Sequence, residues 1–154
     1  MNLIRKLKLA DVCLADTYRP PPAEPGQKPG EATSTLQNVV DILSQNPYIM
    51  YLNISCSNIE LPDLVRIAAK FENCAKMEYL SIAGNQILHH PNKALKDELV
   101  QYISDFIERP SSVLCHLDIS GIGFDTPHLR RILKALQKNT KLLSVNLGLC
   151  GLEE

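Results

Sequence analysis

The chain has 154 residues, of which 45% are hydrophobic and 21% are charged, and its formal net charge is −1. This composition is typical of one folded domain with a sizeable core, so we predict a single domain over residues 1–154. The balanced charge gives no global attraction for nucleic acid, so a nucleic-acid partner is not predicted. No apolar run approaches the roughly 20 residues of a membrane span, so no membrane span is predicted.

Five segments along the chain share one spacing of apolar residues. Counted from its first apolar residue, each segment is apolar at places 1, 4, 6 and 11. The residue at place 9 differs from one segment to the next. The intervals between segment starts are 45, 28, 37 and 28 residues, so two of the four are equal. A recurring interval indicates a structural unit that is repeated along the chain. The five units begin at Ile4, Ile49, Met77, Leu114 and Leu142.

The first unit predicts a strand over Ile4 to Leu14, with Val12 at place 9. Its start, from Met1 to Leu9, is both basic and apolar, and could also be an organelle-targeting segment. Asp11 and Asp16 follow closely, whereas targeting segments of this kind are poor in acidic residues. We therefore interpret it as a strand with lysines on its open face.

A proline-rich insertion follows over residues 16–33. It contains five prolines and two glycines between Tyr18 and Gly30, which excludes a helix or a central strand and favours polyproline II or a loop. Within it, Arg19, Pro22 and Pro25 have the spacing of a ligand for SH3-type domains. The insertion accounts for the first, longest interval.

A helix is predicted after the insertion and after each of the second, third and fourth strands. The first begins at a possible capping box of Ser34 and Gln37, the second at Pro62, and the fourth at Thr126 as N-cap. The third runs from about Lys93 to Glu108. The predicted inner stripes are Leu36, Val39, Val40 and Leu43; Leu61, Leu64, Ala68 and Phe71; Leu95, Leu99, Ile103 and Phe106 or Ile107; and Leu129, Ile132, Leu133 and Leu136.

The clearest strand segment is Met77 to Ile87, which has Asn85 at place 9. The other units carry Ser57, Ile122 and Cys150 at that place. Residues 80–87 and 145–152 match best the pattern L-x-x-L-x-L-x-x-N/C-x-L, and on these motifs the chain resembles the leucine-rich repeat family in its long-repeat form, similar to ribonuclease inhibitor. The departures are Val12, Ser57 and Ile122. A valine or isoleucine side chain cannot form the place-9 hydrogen bond, so the ladder of these bonds is predicted to be interrupted.

The resemblance implies an α/β right-handed superhelix, with a parallel sheet on the concave face, helices on the convex face, and a protein partner held in the curve. Because strand side chains alternate, places 3 and 5 should point away from the core and form two rows across the sheet. Place 3 gives Lys6, Tyr51, Tyr79, His116 and Ser144. The predicted contact residues for a partner are Lys6, Lys8, Tyr51, Asn53, Tyr79, Ser81, His116, Asp118 and Asn146.

The function predicted from these features is a non-enzymatic protein-interaction scaffold. A Ser-His-Asp arrangement could be drawn from Ser81 or Ser144 with His116 and Asp118, but no nucleophile elbow, oxyanion hole or pocket accompanies it, so no catalytic residue is predicted. The alternatives are an activator of a GTPase, similar to the leucine-rich repeat activator of Ran, or a regulator of actin assembly. The sequence has no separate actin-binding segment to support the second of these.

Cofactors, metals and disulfides are not predicted. The five cysteines (Cys13, Cys56, Cys74, Cys115 and Cys150) are odd in number and form no CxxC pair, which favours reduced thiols and a cytoplasmic location. His89 and His90 are adjacent in a loop, with no further ligand at metal spacing. Both ends lack polar capping units, so we expect either a longer repeat protein or a subunit covered by its neighbours.

Overall fold

The structure is a computed structural model that describes residues 4–11, 35–87 and 89–150, and it shows an α/β fold. Five strands form one parallel sheet in the order in which they occur in the chain. Predictions that concern Val12, Leu14, Ser34, Leu152 or the insertion with Arg19, Pro22 and Pro25 lie outside the described residues. The elements are β1 Lys6–Lys8, α1 Thr35–Gln45, β2 Tyr51–Asn53, α2 Leu61–Ala68, a 3-10 turn at Phe71–Asn73, β3 Tyr79–Ser81, α3 Lys93–Glu108, β4 His116–Asp118, α4 Thr126–Lys138 and β5 Ser144–Asn146.

The same main-chain hydrogen bonds recur at each of the four junctions between strands. The N–H at place 6 donates to the carbonyl at place 5 of the next unit every time, as in Leu9 to Asn53 (2.7 Å) and Ile119 to Asn146 (3.1 Å). The N–H at place 8 likewise donates to place 7 of the next unit, as in Cys56 to Ala83 (2.8 Å). Each strand is therefore paired with the next in one constant register.

Each strand is shorter than its segment predicts, because the chain turns after place 5. The residue at place 8 has a left-handed backbone in all five units, which no continuous strand allows. Two of these residues are glycines. At Gly84, a Cβ atom would lie 2.6 Å from the Sγ of Cys56, so both the φ of +69° and the close approach require glycine. The five φ angles are 62° at Asp11, 52° at Cys56, 69° at Gly84, 66° at Gly121 and 56° at Leu149.

The hydrophobic core lies between one face of the sheet and the helices. Places 1, 4 and 6 of the three central units are all buried, at 3% exposure or less, and they pack against the inner stripes of the helices. Burial declines toward the two outer strands, where Ile4 and Val145 are each 38% exposed. Consecutive helices contact each other in the same order as the strands. The central units are Ile49, Leu52 and Ile54; Met77, Leu80 and Ile82; and Leu114, Leu117 and Ile119.

Three chemically different side chains at place 9 make the same hydrogen bond. Asn85, Ser57 and Cys150 each donate to the carbonyl oxygen at place 6 of the preceding unit, at 2.9, 2.6 and 3.1 Å. Ser57 departs from the asparagine of the pattern but keeps this bond, since a hydroxyl can donate it as an amide does.

Ile122 is the remaining described exception at place 9. It is fully buried, and its side chain offers no hydrogen bond. Its main-chain carbonyl accepts the N–H of Ile87 at 2.9 Å, where Asn85 uses a side-chain oxygen for the equivalent N–H of Ile59. The backbone itself thus replaces part of the missing side-chain bond.

The helix ends and stripes match the prediction with three exceptions, one in α2 and two in α4. α2 ends at Ala68, so Phe71, predicted in its inner stripe, lies in the 3-10 turn, where it is still buried. The N-cap of α4 is Asp125, not Thr126, because the Asp125 carboxylate accepts the N–H of His128 at 3.1 Å. Leu133, predicted in the inner stripe, is 39% exposed and is not among the residues that pack against the core. No helix in the described part of the chain is long and apolar enough to cross a membrane.

Arg109 ties the end of α3 to the 3-10 turn. Its guanidinium donates to the carbonyls of Glu72 (2.9 Å) and Phe71 (3.3 Å) and lies 5.4 Å from the ring centre of Phe106. We expect Arg109→Met to lower the free energy of unfolding by about 1–2 kcal/mol, because the stem is kept while two charge-assisted bonds are lost. Urea denaturation measures this. Arg130→Met, on the exposed side of α4, is the matched control, and an equal loss in both variants would contradict the assignment.

Candidate functional site

The face of the sheet that points away from the core carries a continuous chain of side-chain contacts at place 3. The ammonium of Lys6 lies 4.5 Å from the ring centre of Tyr51. Tyr51 stacks on Tyr79, with ring centres 4.2 Å apart and planes 9° from parallel. Tyr79 is tilted against the ring of His116 at 6.3 Å, and the Nδ1 of His116 lies 2.7 Å from the Oγ of Ser144. We call these five residues the place-3 row.

The strand register is what assembles this row. Lys6 pairs with Tyr51, Tyr51 with Tyr79, Tyr79 with His116, and His116 with Ser144. Both tyrosines are half-buried, while the residues at the two ends of the row are exposed. Aromatic stacking and a cation over an aromatic ring are both attractive, so these side chains hold one another in place. The predicted neighbours at place 3 are thus in contact.

Tyr79 lies at the centre of the row, and the pKa of its hydroxyl is raised by its surroundings. Burial raises the pKa of Tyr79, the adjacent Tyr51 and Asp118 raise it further, and a hydrogen bond with Ser81 opposes the shift. The neutral phenol can both donate and accept a hydrogen bond. A neutral, rigid aromatic with a polar edge is well suited to contact a protein surface.

The residues at place 5 have a second role that the sequence did not indicate. Asn53 and Asp118 each accept two hydrogen bonds, from the N–H and the hydroxyl of the serine two residues later, at 2.7–3.0 Å. Asn146 accepts the N–H of Gly148 at 3.1 Å. These bonds close the turns that follow β2, β4 and β5. The signal that would have revealed them is the recurrence of Asn or Asp at place 5 with Ser or Gly at place 7.

Ser81 is the exception at place 5, and its prediction as a contact residue is corrected here. The side chain is only 1% exposed, because Tyr79 on the same strand and the neighbouring strands cover this short residue. A buried hydroxyl offers no surface to a partner. Lys8 and Asn146 are exposed, and Asn53 and Asp118 are half-buried, so these four residues remain on the open face as predicted.

The positions of His116, Ser144 and Asp118 test whether these residues form a Ser-His-Asp triad. Ser144 and His116 lie within hydrogen-bonding distance, as a nucleophile and base would. However, the carboxylate of Asp118 accepts from the N–H (3.0 Å) and hydroxyl (2.7 Å) of Ser120, and not from the imidazole. The group that should orient His116 is therefore engaged in a turn. The geometry supports a contact surface better than a triad.

The loop histidines lie apart from this face. His90 accepts the N–H of Asn92 through its Nδ1 at 3.2 Å, which helps to shape the start of α3. Among residues 4–11, 35–87 and 89–150, no group of three or more His, Cys, Asp or Glu side chains is placed to hold a metal ion. The four described cysteines carry free thiols.

A groove of about 330 Å³ adjoins the open face at the edge where the strands begin. Three of its lining residues occupy place 2 of their units, directly before the place-3 row. Its walls include two cationic side chains and the half-exposed ring of Tyr48, which is 49% exposed. Place 2 is neither one of the apolar places of the pattern nor part of the two outward rows, so the sequence pattern does not indicate this groove. The lining residues are Arg5, Tyr48, Met50, Lys76, Glu78 and Val113.

Comparison with known proteins finds no family model that matches the chain and no curated protein sequence that matches it.

Proposed function

We propose that this protein is a leucine-rich repeat solenoid that acts as a non-enzymatic protein-interaction scaffold in the cytoplasm. The partner binds the open face of the sheet, along the place-3 row. The observation that carries this proposal is the unbroken chain of contacts from Lys6 through Tyr51, Tyr79 and His116 to Ser144. It holds a charged, aromatic and hydrogen-bonding surface in one fixed conformation.

Recurrence of geometry supports the solenoid. All four junctions share the same main-chain hydrogen bonds, and all five units have a left-handed residue at place 8. Such agreement is typical of stacked equivalent units, in which each unit contacts only its neighbours. A doubly wound sheet would reverse its strand order at a switch point, whereas this sheet keeps the chain order throughout.

The energetics of the row support binding. Tyrosine provides a large contact area with few rotatable bonds, and the stack between Tyr51 and Tyr79 has already lost that freedom in the folded chain. Aromatic residues at the centre of a patch with a polar rim are the usual sites of strong binding energy. Here the rim is Lys6 and Lys8 at one end and Ser144 and Asn146 at the other.

The absence of catalysis and the cytoplasmic location are parts of the same proposal. The carboxylate of Asp118 closes a turn with Ser120, which favours a recognition role for His116. The free thiols of Cys56, Cys74, Cys115 and Cys150 are consistent with a reducing compartment. Loss of a measured ester turnover in His116→Ala would overturn the non-enzymatic assignment.

A photo-crosslinking experiment tests the open face. We expect a benzophenone side chain at position 79 to capture a defined protein from native extract, while one at Ala94, exposed on α3, captures a different set or none. Unlabelled wild-type chain should compete for capture. The Tyr51→Ala variant should compete about 10–100-fold less well, since it removes one ring of the stack.

Two results would contradict the proposal. One is capture of the same proteins at positions 79 and 94, which indicates adhesion without a specific face. The other is equal competition by wild type and Tyr51→Ala. Thermal denaturation of each variant controls for folding, because Tyr51 is half-buried and its truncation leaves the core residues untouched.

A further inference from the structure

The groove beside the open face brings together charged side chains that the fold does not use. Arg5, Lys76 and Glu78 all line it and are all exposed. None of the three forms an ion pair with another residue in the described part of the chain. Charged groups at the rim of a surface groove are available to a ligand, and they steer and orient it.

The remaining walls of the groove are apolar. Met50 and Val113 are half-buried, and about half of the Tyr48 side chain is exposed. The volume of about 330 Å³ is at the lower end of the range of about 300–1,000 Å³ for ligand sites. Methionine adapts its shape to the group that it contacts. The groove therefore suits one large apolar or aromatic side chain that has charged groups beside it.

The main chain at the floor of the groove is already hydrogen-bonded. The carbonyls of Arg5, Met50 and Glu78 each accept two N–H groups of the next unit, at 2.8–3.1 Å. These bonds fix the spacing of the three residues across three strands. They also leave no carbonyl row for an added strand, so a ligand in the groove is recognised through side chains.

The charge of the surface around the groove is mainly positive. We count places 2, 3 and 5 of the first three units and place 0, which is the residue before place 1. These places carry four cations and one carboxylate, namely Arg5, Lys6, Lys8, Lys76 and Glu78. At the same places, the last two units add one cation and one carboxylate, Lys141 and Asp118. The Asp118 carboxylate is engaged with Ser120, so it does not neutralise the cations of the first units.

The other carboxylates of these units follow the strands. Asp11 is at place 8 of the first unit, and Glu153 and Glu154 are at places 12 and 13 of the fifth, whereas the groove lies where the strands begin. Glu72 precedes Lys76 by four residues, which leaves the four cations in excess. The insertion at residues 16–33 contains three carboxylates and two cations, so its own net charge is only −1. The groove and the adjoining end of the open face therefore favour an acidic ligand.

Nucleic acid matches this charge but not the aromatic side chains. Tyr51 lies between the ammonium of Lys6 and the ring of Tyr79, so both of its faces are covered. A base needs an open ring face on which to stack. The carboxylate of Glu78 would also oppose a phosphate chain that passed through the groove. A protein ligand, which brings carboxylates and one apolar side chain, fits better.

A second copy of this chain offers no matching segment among its described residues. Apart from Tyr48 in the groove itself, five large apolar residues are exposed. None of them has an aspartate or glutamate within two residues along the chain, so none could bring a carboxylate and an apolar side chain together. These residues are Ile4, Leu133, Leu143, Val145 and Leu149.

We infer that the partner contacts the groove with an acidic segment, in which carboxylates flank one aromatic or large aliphatic side chain. That side chain packs between Tyr48 and Met50, while the carboxylates pair with Arg5 and Lys76. Further carboxylates of the segment extend toward Lys6 at the end of the place-3 row. This inference rests on the proposed function, because the segment belongs to the partner of the open face and specifies its chemistry.

The probe is a labelled synthetic peptide with phenylalanine at its centre and glutamates on both sides. One matched peptide has lysine for each glutamate, and another has alanine for phenylalanine. By fluorescence anisotropy with the intact chain, we expect the first peptide to bind at least about tenfold more tightly than either control. With ¹³C-methyl methionine, the NMR signal of Met50 should shift on binding, whereas that of the fully buried Met77 should not.

Substitutions at the rim test the sign of the charge. Arg5→Gln combined with Lys76→Gln should weaken peptide binding about tenfold or more, whereas Glu78→Gln should strengthen it about threefold. All three residues are exposed, so these variants should fold. Arg130→Gln combined with Lys134→Gln, on the exposed side of α4, is the matched control, because it removes the same charge far from the groove along the chain.

Four results would overturn the inference. These are equal binding of the three peptides, equal weakening by the rim and α4 double variants, weaker binding by Glu78→Gln, or no shift of Met50. Tighter peptide binding after Glu24→Gln with Glu31→Gln would also overturn it, because the chain's own insertion would then be the occupant. Binding of oligouridylate or phosphatidylserine vesicles, but not of the glutamate peptide, would replace it with a nucleic-acid or membrane contact.

The same rim variant separates this inference from the proposed function. Used as the competitor in photo-capture at position 79, Arg5→Gln with Lys76→Gln should compete about tenfold less well than wild type. Competition equal to that of wild type would overturn the acidic segment while specific capture at position 79 still supported the open face. Loss of specific capture at position 79 would instead count against the open face itself.

Discussion

Asn85→Ala should lower the free energy of unfolding by about 3–5 kcal/mol, the largest effect we expect from one substitution in this chain. The side chain is fully buried and makes four good hydrogen bonds. Its amide nitrogen donates to the carbonyls of Ile54 and Ile82, both at 2.9 Å, and its oxygen accepts the N–H groups of Ser57 (3.2 Å) and Ile59 (3.1 Å). Alanine would leave these main-chain groups buried without partners and create a cavity.

Urea denaturation followed by circular dichroism gives this free energy. Gln86→Ala is the matched control, because Gln86 is the exposed neighbour of Asn85, and it should change stability by about 0.5 kcal/mol or less. Ser57→Ala should fall between the two, at about 1 kcal/mol, since its hydroxyl serves only the Leu9 and Ser55 carbonyls. A loss below about 1 kcal/mol in Asn85→Ala would show that water or a rearranged turn satisfies these groups.

Asn85 also explains why place 9 tolerates such different residues. The bond that recurs is the one to the place-6 carbonyl of the preceding unit, and amide, hydroxyl and thiol can all donate it. The acceptor function of the asparagine is needed only where the N–H at place 11 has no other partner. At the next junction the carbonyl of Ile122 supplies that acceptor for Ile87. Backbone geometry can therefore compensate for a departure that the sequence pattern alone marks as a loss.

The rows on the open face could be predicted because two simple rules fix them. Strand side chains alternate, which puts place 3 on the face opposite to places 4 and 6. A constant register then brings the place-3 residues of neighbouring units together, as in the pairing of Tyr51 with Tyr79. Neither rule depends on the detailed shape of the molecule. Contacts within the row, such as the ring stacking at 4.2 Å, depend on rotamers that a sequence does not specify.

The burial of individual side chains could not be predicted from the repeat pattern. Ser81 shares its place with Asn53 and Asp118, but a short side chain beside Tyr79 is buried, and it closes no turn. Leu133 is 39% exposed, although its helical spacing also places it in the stripe of the buried Leu129. Periodicity identifies which side chains share a face. Burial also requires knowledge of what that face meets.

The stability of the fold should also fall at alkaline pH through Cys74. This thiol is 1% exposed, and burial raises its pKa from the ordinary 9.0 to about 11, with the nearby Arg109 partly opposing the shift. An acid whose pKa is higher in the folded state binds its proton more tightly there. Its contribution to stability is complete below pH 9 and is lost as the pH rises from about 9 to 11, because the unfolded chain releases the proton first.

The size of this loss follows from the shift of about two pKa units, which corresponds to about 3 kcal/mol at most. Urea denaturation at a series of pH values from 8 to 11 measures it. Tyrosines, including Tyr79 with its raised pKa, and lysines titrate in the same range. The informative quantity is therefore the difference between wild type and Cys74→Ala, which keeps all other groups.

At pH 8 the Cys74→Ala variant should be less stable than wild type by about 1 kcal/mol, because a small buried side chain is lost. As the pH rises, the stability of wild type should fall faster, so that the two curves converge and then cross near pH 10. In the native chain, a thiol-alkylating reagent should modify the exposed Cys56 well before the buried Cys74. Parallel curves across this range would show that Cys74 ionises in the folded chain as readily as in the unfolded one, and that the thiol is not enclosed by the core as the structure places it.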